Sequence, residues 1–222
     1  MSNLKTLDSV TGKHDSYAWV STFNELFDSK YTTLHQLAGW FDIEDSEIWE
    51  KYVLDIVQEY VKEGHHVFEA GFDGSDRAIQ HLRHAVVNAN NNNFFVGTIP
   101  DALSVIESGQ YDVTISHSVF QYMSKQNALL AVDEMLRITK PGGVVIIGDI
   151  CDEAYKEDTE SAMKQHWGED YQSKLPGYLY LSKSFWKCYE DRCDVLVRNS
   201  SVEEYWRRES RYITYLRKRI QV

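Results

Sequence analysis

The sequence contains little cysteine, and its three cysteines are not arranged as a paired framework requires. Cys151, Cys188 and Cys193 form neither an even set nor a CxxC pair, so neither a disulfide scaffold nor a zinc site is supported. Positive charge is also scarce, with 23 lysine and arginine residues against 34 aspartate and glutamate residues and a net charge of −11. Because nucleic-acid binding depends on a surplus of positive charge, we expect no nucleic-acid partner and favour a small-molecule substrate.

Long apolar runs are absent as well. Residues 1–16 lack the apolar stretch of a secretory signal, and no run elsewhere reaches the length of a membrane span. We therefore expect a cytoplasmic protein with no membrane partner, while the oligomeric state stays open. A length of 222 residues and a hydrophobic content of 43% suit one globular domain with a sizeable core.

What the sequence does contain is an alternation of helix and strand patterns. Apolar residues recur at helical spacing in residues 47–62 and again in residues 129–136. Uninterrupted or alternating apolar segments predict strands at residues 65–70, 93–97, 111–116, 144–148, 193–198 and 210–218. This alternation predicts an α/β fold in which right-handed crossovers join the strands of a largely parallel sheet.

Two segments flank or interrupt this pattern. Residues 1–46 are rich in aromatic residues, and we predict capping helices there rather than a second domain. Residues 47–222 then form the main domain. Within it, residues 151–177 are polar and aromatic, and they are predicted to form an insertion or lid over the strand ends.

Two segments of the second half carry a resemblance to a known family. The sequences YDVTISHSVFQYM (residues 111–123) and EMLRITKPGGVVIIGDI (residues 134–150), followed by the final pair of strands, resemble the second half of a class I S-adenosylmethionine-dependent methyltransferase. The resemblance implies a Rossmann-like sheet that is mostly parallel with an antiparallel last strand. It also implies S-adenosylmethionine as the cofactor and methyl transfer to an oxygen or nitrogen of a small molecule.

The first half also resembles this family. The segment VFEAG is similar to the family's first strand and the start of its glycine loop, so Glu69 and Gly71 would lie beside the methionine part of the cofactor. The segment FDGSDRAI is similar to the end of its second strand. There Asp73, followed by Gly74, would accept hydrogen bonds from the ribose hydroxyls. The plain alternative is that Asp73 and Gly74 only form a tight turn.

The ends of two further predicted strands supply the other candidate site residues. Thr98 and Ile99 follow the strand that borders the adenine in this family, although a loop that satisfies its own backbone is an equal alternative. His117 and Ser118 end a predicted parallel strand, which is where open α/β sheets bind ligands. His117 is a candidate general base because its ordinary pKa is about 6.5, and Tyr122 is a second catalytic candidate. Alternatively, both are structural, because methyl transfer to a nucleophilic atom needs mainly alignment.

The resemblance has a gap. Only Phe72 separates Gly71 from Asp73, yet a βαβ unit takes about 30 residues or more. The chain therefore lacks about 20 residues of the family pattern, comprising the rest of the glycine loop, the first crossover helix and most of the second strand. If residues 93–97 move in beside residues 67–70, the sheet has six strands.

Two functions of different classes follow. The chain is an S-adenosylmethionine-dependent methyltransferase, or it is a methyltransferase-like protein that has lost cofactor binding and acts as a scaffold or interaction protein. A nicotinamide-dependent oxidoreductase is disfavoured, because the sequence has no GxGxxG turn between a strand and a helix.

Overall fold

The computed structural model describes residues 5–6, 46–70, 95–96, 99–168, 177–205 and 207–220. Its helices and strands are, in chain order, β1 (Lys5–Thr6), α1 (Ser46–Val57), β2 (Val67–Glu69), β3 (Phe95–Val96), β4 (Tyr111–His117), α2 (Lys125–Ile138), β5 (Thr139–Cys151), α3 (Lys156–Trp167), β6 (Cys193–Arg198) and β7 (Arg211–Lys218). Short 3₁₀ helices cover Asp101–Val105, Phe120–Tyr122, Glu153–Tyr155 and Lys183–Tyr189. Apart from β1 and the first residue of α1, the predicted capping helices of residues 1–46 lie outside the described residues.

The main sheet has the strand order β2-β4-β5-β7-β6. β2, β4 and β5 are parallel neighbours, whereas β7 runs antiparallel to both β5 and β6. The predicted Rossmann-like sheet, mostly parallel with an antiparallel last strand, is therefore confirmed. α1 is shorter than the predicted helix of residues 47–62, because the chain turns at residues 58–60 and Gly64 takes a left-handed φ of 82°.

The predicted sixth strand forms, but in a different place. Phe95–Val96 pairs in parallel with Lys5–Thr6, and these two strands make a separate sheet. In the described part of the chain, the main sheet consequently has five strands, and β2 has one neighbour, β4. A strand of two residues is too short for its side-chain pattern to specify a partner. The sequence pattern therefore identifies this strand without identifying its neighbour.

The core lies on both faces of β5. Val145 and Ile147 pack in a cluster with the apolar face of α2, whereas Val144 and Ile146 pack with Tyr52 and Ile56 of α1. Successive side chains of a strand point to opposite faces of the sheet, so this run without polar residues buries both faces. Such coverage is typical of a central strand in an α/β fold.

The Lys-Pro-Gly-Gly turn occupies residues 140–143 at the amino end of β5, which begins directly after α2. Gly142 has a left-handed φ of 81°, and a Cβ added at Gly143 would lie 2.7 Å from both the Asp112 carbonyl oxygen and the Thr139 Cγ2 atom. Lys140 Nζ donates to Asp112 Oδ2 at 2.8 Å, which ties this turn to the start of β4. Glycine is therefore required at position 143 by close backbone approach.

We expect Gly143→Ala to lower the free energy of unfolding by about 1–3 kcal/mol, because the added methyl group displaces backbone atoms. The measurement is urea unfolding followed by circular dichroism. Gly177→Ala is the matched control, since an added Cβ there meets nothing within 4 Å. Equal midpoints for both variants would contradict the role given to Gly143.

Asp55 joins α1 to the segment after β6. Its carboxylate is buried, and it accepts hydrogen bonds from Arg198 Nη1 at 3.0 Å, Ser200 Oγ at 2.9 Å and Ser201 Oγ at 2.6 Å. Arg198 Nη2 also donates to Tyr215 Oη at 2.8 Å. Burial by itself would raise the pKa of Asp55, but the hydrogen bonds from Arg198 and Ser201 hold it below its usual range. Asp55 is therefore a charged anchor of α1.

Removing this anchor is expected to destabilise the fold. Asp55→Ala leaves Arg198 without its buried anion and should lower the free energy of unfolding by about 3 kcal/mol. Because the folded pKa is depressed, the contribution of Asp55 is complete above its ordinary pKa of 3.8 and is lost as the pH falls through the folded value. The difference between wild type and variant should therefore shrink in strong acid.

Thermal unfolding from pH 7 down to pH 2 measures this dependence. Glu204→Gln removes the exposed ion pair with Lys51 and should leave the midpoint unchanged. A constant difference between wild type and Asp55→Ala across the pH range would show that Asp55 does not act through its charge.

Candidate functional site

The carboxyl ends of the three parallel strands meet at one edge of the sheet. Glu69 ends β2 and is exposed, His117 ends β4, and Gly148 of β5 lies opposite His117 in the strand register. Ala70 N donates to Ile115 O at 2.6 Å, so β2 follows β4 up to this edge. Open α/β sheets bind ligands outside the carboxyl ends of their strands.

Two residues at this edge have a left-handed backbone although neither is glycine. Ser118 has a φ of 55° and Asp149 a φ of 58°, and they follow directly after β4 residue His117 and β5 residue Gly148. Ser118 N donates to Gly148 O at 3.2 Å. Such conformations cost about 1–3 kcal/mol and are concentrated at functional sites. Their position on adjacent strands marks this edge as the candidate site.

Asp149 is the centre of a buried hydrogen-bond network. The residue is 1% exposed, and its carboxylate accepts hydrogen bonds from Ser118 Oγ at 2.8 Å and Tyr205 Oη at 2.5 Å. Arg211 Nη1 lies 3.9 Å from Asp149 Oδ2 and donates to the Asp149 carbonyl oxygen at 3.2 Å. Burial is the largest influence and by itself would raise the pKa of Asp149, but the nearby charges, that of Arg211 foremost, and the hydrogen bond from Tyr205 together lower it. The carboxylate is therefore ionised at neutral pH.

Arg211 connects this network to β5 and to the aromatic residues beyond it. Its guanidinium is buried, donates to Cys151 Sγ at 2.6 Å and lies 5.8 Å from the centre of the Tyr178 ring. Burial raises the pKa of the Cys151 thiol to about 11. Cys151 is thus protonated at neutral pH and is not a nucleophile, because only the thiolate reacts.

His117 is held closely on three sides. A Cβ added at Gly148 would lie 2.8 Å from the His117 Cδ2 atom, so the imidazole lies directly against the glycine backbone. The Tyr52 ring meets it edge-on with centroids 5.3 Å apart, and Ser118 Oγ lies 3.2 Å from Nδ1. Burial lowers the pKa of His117 below its usual range. The imidazole is therefore neutral at pH 7.

Tyr122 lies on the 3₁₀ helix after β4. Its ring is buried and meets the Tyr178 ring edge-on with centroids 5.6 Å apart. Burial raises the pKa of Tyr122 well above its usual range, so its hydroxyl stays protonated at neutral pH. In that state it can donate a hydrogen bond but cannot act as a base.

Residues 177–181 return across this edge. Leu179 N donates to Gln121 O at 2.8 Å, and Leu181 N donates to Cys151 O at 3.0 Å. These two bonds connect the return segment to the loop after β4 and to the end of β5. Tyr178 is thereby placed beside Tyr122 and Arg211.

The structure describes four of the eight predicted cofactor residues. Glu69, His117 and Ser118 lie at the strand edge, while Ile99 is 7% exposed and packs in the core cluster with Leu103. Only the backbone of Ile99 is therefore open to a ligand role. The other predicted residues, Gly71, Asp73, Gly74 and Thr98, lie outside the described residues.

Four residues of the site were missed by the sequence analysis: Tyr52, Asp149, Tyr205 and Arg211. Asp149 could have been found, because it follows a predicted strand just as His117 and Ser118 follow theirs. Tyr205 and Arg211 lie 56 and 62 positions from Asp149, so no local spacing connects them.

Two further features are absent from the described residues. No group of three or more histidine, cysteine, aspartate or glutamate side chains is placed there to hold a metal ion. None of the described helices has the length and apolar character needed to cross a membrane.

The burial of the thiols predicts their reactivity. Cys188 is exposed, whereas Cys151 and Cys193 are buried, so a disulfide reagent should modify one thiol quickly in the native protein and the other two only on unfolding. Cys188→Ser should abolish the fast reaction. Fast modification of Cys151 in that variant would show that the site around Arg211 is more open than described.

The chain matches one family model and several solved structures. Residues 52–199, about two thirds of the 222-residue chain, match a family model described as a methyltransferase domain. No curated protein matches the chain. The matched range contains β2, β4, β5 and β6 with their connecting helices.

Several solved structures share the fold. A methyltransferase of Thermotoga maritima, described as dependent on S-adenosylmethionine and as a possible histamine N-methyltransferase, is 15% identical with a TM-score of 0.54, covering 93% of this chain and 100% of its own. The N-methyltransferase NodS of Bradyrhizobium japonicum, in complex with S-adenosylhomocysteine, is 12% identical with a TM-score of 0.56, covering 92% and 98%. Magnesium protoporphyrin IX methyltransferase of Synechocystis, also with bound S-adenosylhomocysteine, is 14% identical with a TM-score of 0.59, covering 92% and 99%.

Proposed function

The chain belongs to the S-adenosylmethionine-dependent methyltransferase family, and we propose that it transfers a methyl group from S-adenosylmethionine to an oxygen or nitrogen of a small molecule. The observation that carries this proposal is the edge at which β4 and β5 end, where Ser118 and Asp149 hold left-handed conformations around a buried, ionised carboxylate. Two structures of the same fold, NodS and the Synechocystis enzyme, hold S-adenosylhomocysteine, which is what remains of the methyl donor after transfer.

The residues at the edge suit such a cofactor. Glu69 lies at the end of β2 and is exposed as a residue, whereas burial raises the pKa of its carboxyl above its usual range. We propose that this carboxyl accepts hydrogen bonds from the amino group of the cofactor's methionine part. Following the family pattern, we propose that Gly71 lies against this part and that Asp73 with Gly74 holds the ribose. Thr98 and the Ile99 backbone would border the adenine, and the Ser118 backbone would complete the site.

The chemistry asks little more of the protein than alignment. The bound cofactor supplies an electrophilic methyl group on a positively charged sulfur, and a nucleophilic atom held in line with the carbon–sulfur bond reacts with it. The chain must therefore orient the acceptor and exclude water. We propose that neutral His117 and the protonated hydroxyl of Tyr122 face the acceptor, with His117 able to take up a proton and Tyr122 to donate a hydrogen bond.

We propose that the insertion of residues 151–177 covers this site. Within it, α3 has no fully buried residue among those whose exposure is described, so it lies on the surface directly after β5. Its base is closed, because Asp152 forms a parallel bridge with Leu181 and Glu153 N donates to Leu181 O at 3.2 Å. A surface helix on a closed base is suited to moving over a bound substrate while the sheet stays fixed.

The proposed location is the cytoplasm. The three cysteines are free, which suits a reducing compartment. The net charge of −11 supports a small-molecule acceptor rather than a nucleic acid.

Calorimetric titration with S-adenosylmethionine and S-adenosylhomocysteine tests the cofactor. We expect saturable heat with a dissociation constant in the range of about 1–100 μM, as is common for enzyme substrates. Asp73→Ala should weaken binding at least about tenfold, because it removes charged hydrogen bonds to the ribose. Asp191→Ala, which removes an exposed carboxylate in the turn before β6, is the matched control and should bind as the wild type does.

Absence of cofactor binding would support the alternative function. If no heat develops at millimolar ligand with a folded protein, the chain has lost cofactor binding, and the scaffold function takes the place of the enzyme. Equal affinities for wild type and Asp73→Ala would instead show that the ribose is held elsewhere.

A further inference from the structure

Ser118 connects His117 to Asp149. Its Oγ lies 3.2 Å from His117 Nδ1 and 2.8 Å from Asp149 Oδ2. The three side chains follow one another across the ends of β4 and β5, with Ser118 in the middle. This arrangement determines where the protons must be.

A count of donors settles the direction of both hydrogen bonds. A serine hydroxyl has one proton, and an ionised carboxylate can only accept. Asp149 is ionised because the nearby charges, that of Arg211 foremost, and the hydrogen bond from Tyr205 together lower its pKa despite burial, so the Ser118 proton is donated to Asp149. Ser118 Oγ is then an acceptor toward His117, and Nδ1 must carry the proton. In a neutral imidazole this leaves the lone pair on Nε2.

We propose that Ser118 and Asp149 are positioning residues that fix neutral His117 with its proton on Nδ1, so that Nε2, which is buried in this structure, is the nitrogen that accepts the proton lost by the methyl acceptor once the acceptor contacts it. The second half of this inference rests on the proposed function. In the balanced step, the acceptor oxygen or nitrogen forms a bond to the methyl carbon, and the electron pair of the broken carbon–sulfur bond stays on sulfur. The acceptor's proton passes to Nε2, and the resulting imidazolium keeps its Nδ1 proton directed at Ser118.

The surroundings keep this arrangement rigid. The Asp149 carboxylate also accepts from Tyr205 and is paired with Arg211, which limits its rotation. Tyr52 of α1 lies edge-on to the imidazole, and the close approach of Gly148 fixes the plane of the ring. The left-handed backbone at Ser118 and Asp149 is thereby explained, since it directs both side chains toward each other.

The charges around His117 act in opposite directions. Burial lowers its pKa, Asp149 on β5 raises it, and Arg211 on β7 lowers it. From α1 the neighbour is the Tyr52 phenol, whose pKa burial raises well above its usual range, so it stays neutral. The imidazole is consequently neutral at rest, and the Asp149 charge favours it once it has taken up a proton.

Nitrogen NMR of the whole chain without ligand tests the tautomer directly. In ¹⁵N-labelled protein, correlations between ring protons and ring nitrogens distinguish a protonated Nδ1 from a protonated Nε2, and the spectrum of His117→Gln assigns the signals. We expect the wild-type His117 at pH 7.5 to be neutral and protonated on Nδ1. In Ser118→Gly, which removes the hydroxyl and tolerates the left-handed φ, we expect a mixture of tautomers.

Two further variants sharpen the test. Asp149→Asn should lower the pKa of His117 in the same spectra, because it removes the charge that favours the imidazolium. Ser200→Ala is the matched control, since it removes another buried serine–aspartate hydrogen bond, to Asp55, and should leave the His117 signals unchanged. If Asp149→Asn does not fold, the comparison of Ser118→Gly with wild type decides alone.

Two NMR results would contradict this inference. A proton on Nε2 in the wild type, or an unchanged Nδ1 tautomer in Ser118→Gly, overturns the inference. Either result leaves the calorimetric binding of S-adenosylmethionine untouched, so failure of this inference is distinguishable from failure of the proposed function.

Discussion

The buried ion pair between Asp149 and Arg211 is the interaction on which the site depends. Each residue is at most 3% exposed, and a buried charge is strongly unfavourable unless it is paired and hydrogen-bonded. Arg211 begins β7, the strand that pairs with both β5 and β6. The antiparallel strand is therefore more than a closing element of the sheet, because it brings the countercharge that keeps a carboxylate ionised at the end of β5.

The second half of the fold could be predicted from sequence because its signals are local. The apolar run of residues 144–148 specifies a strand covered on both faces, and Gly142 with Gly143 specifies the turn before it. Arg211 and Tyr205 could not be found in this way, because their roles arise only when β7 folds back beside β5. A basic residue in a strand near the C-terminus has the same sequence pattern whether it faces solvent or, like Arg211, neutralises a buried aspartate.

Some positions could not be established from the resemblance to the family, and each has a physical reason. His117 and Ser118 were predicted from their place after a strand, and the same rule applied to Asp149 would have completed the trio. The placement of Phe95–Val96 beside β1 was not predictable, because two residues carry no register. Asp73 and its neighbours are still known only from their similarity to the family pattern.

The narrow base of the insertion has a consequence for how this fold can change. Asp152 and Leu181 meet in a bridge, so the chain leaves and re-enters the sheet at almost the same point. The entropy of closing a loop grows only slowly with its length. The segment around α3 can therefore be lengthened, shortened or exchanged at little cost to the sheet, whereas Tyr178 and Leu179 contact the site below it. Under the proposed function, changes in this segment would alter acceptor preference while leaving the strand edge below it intact.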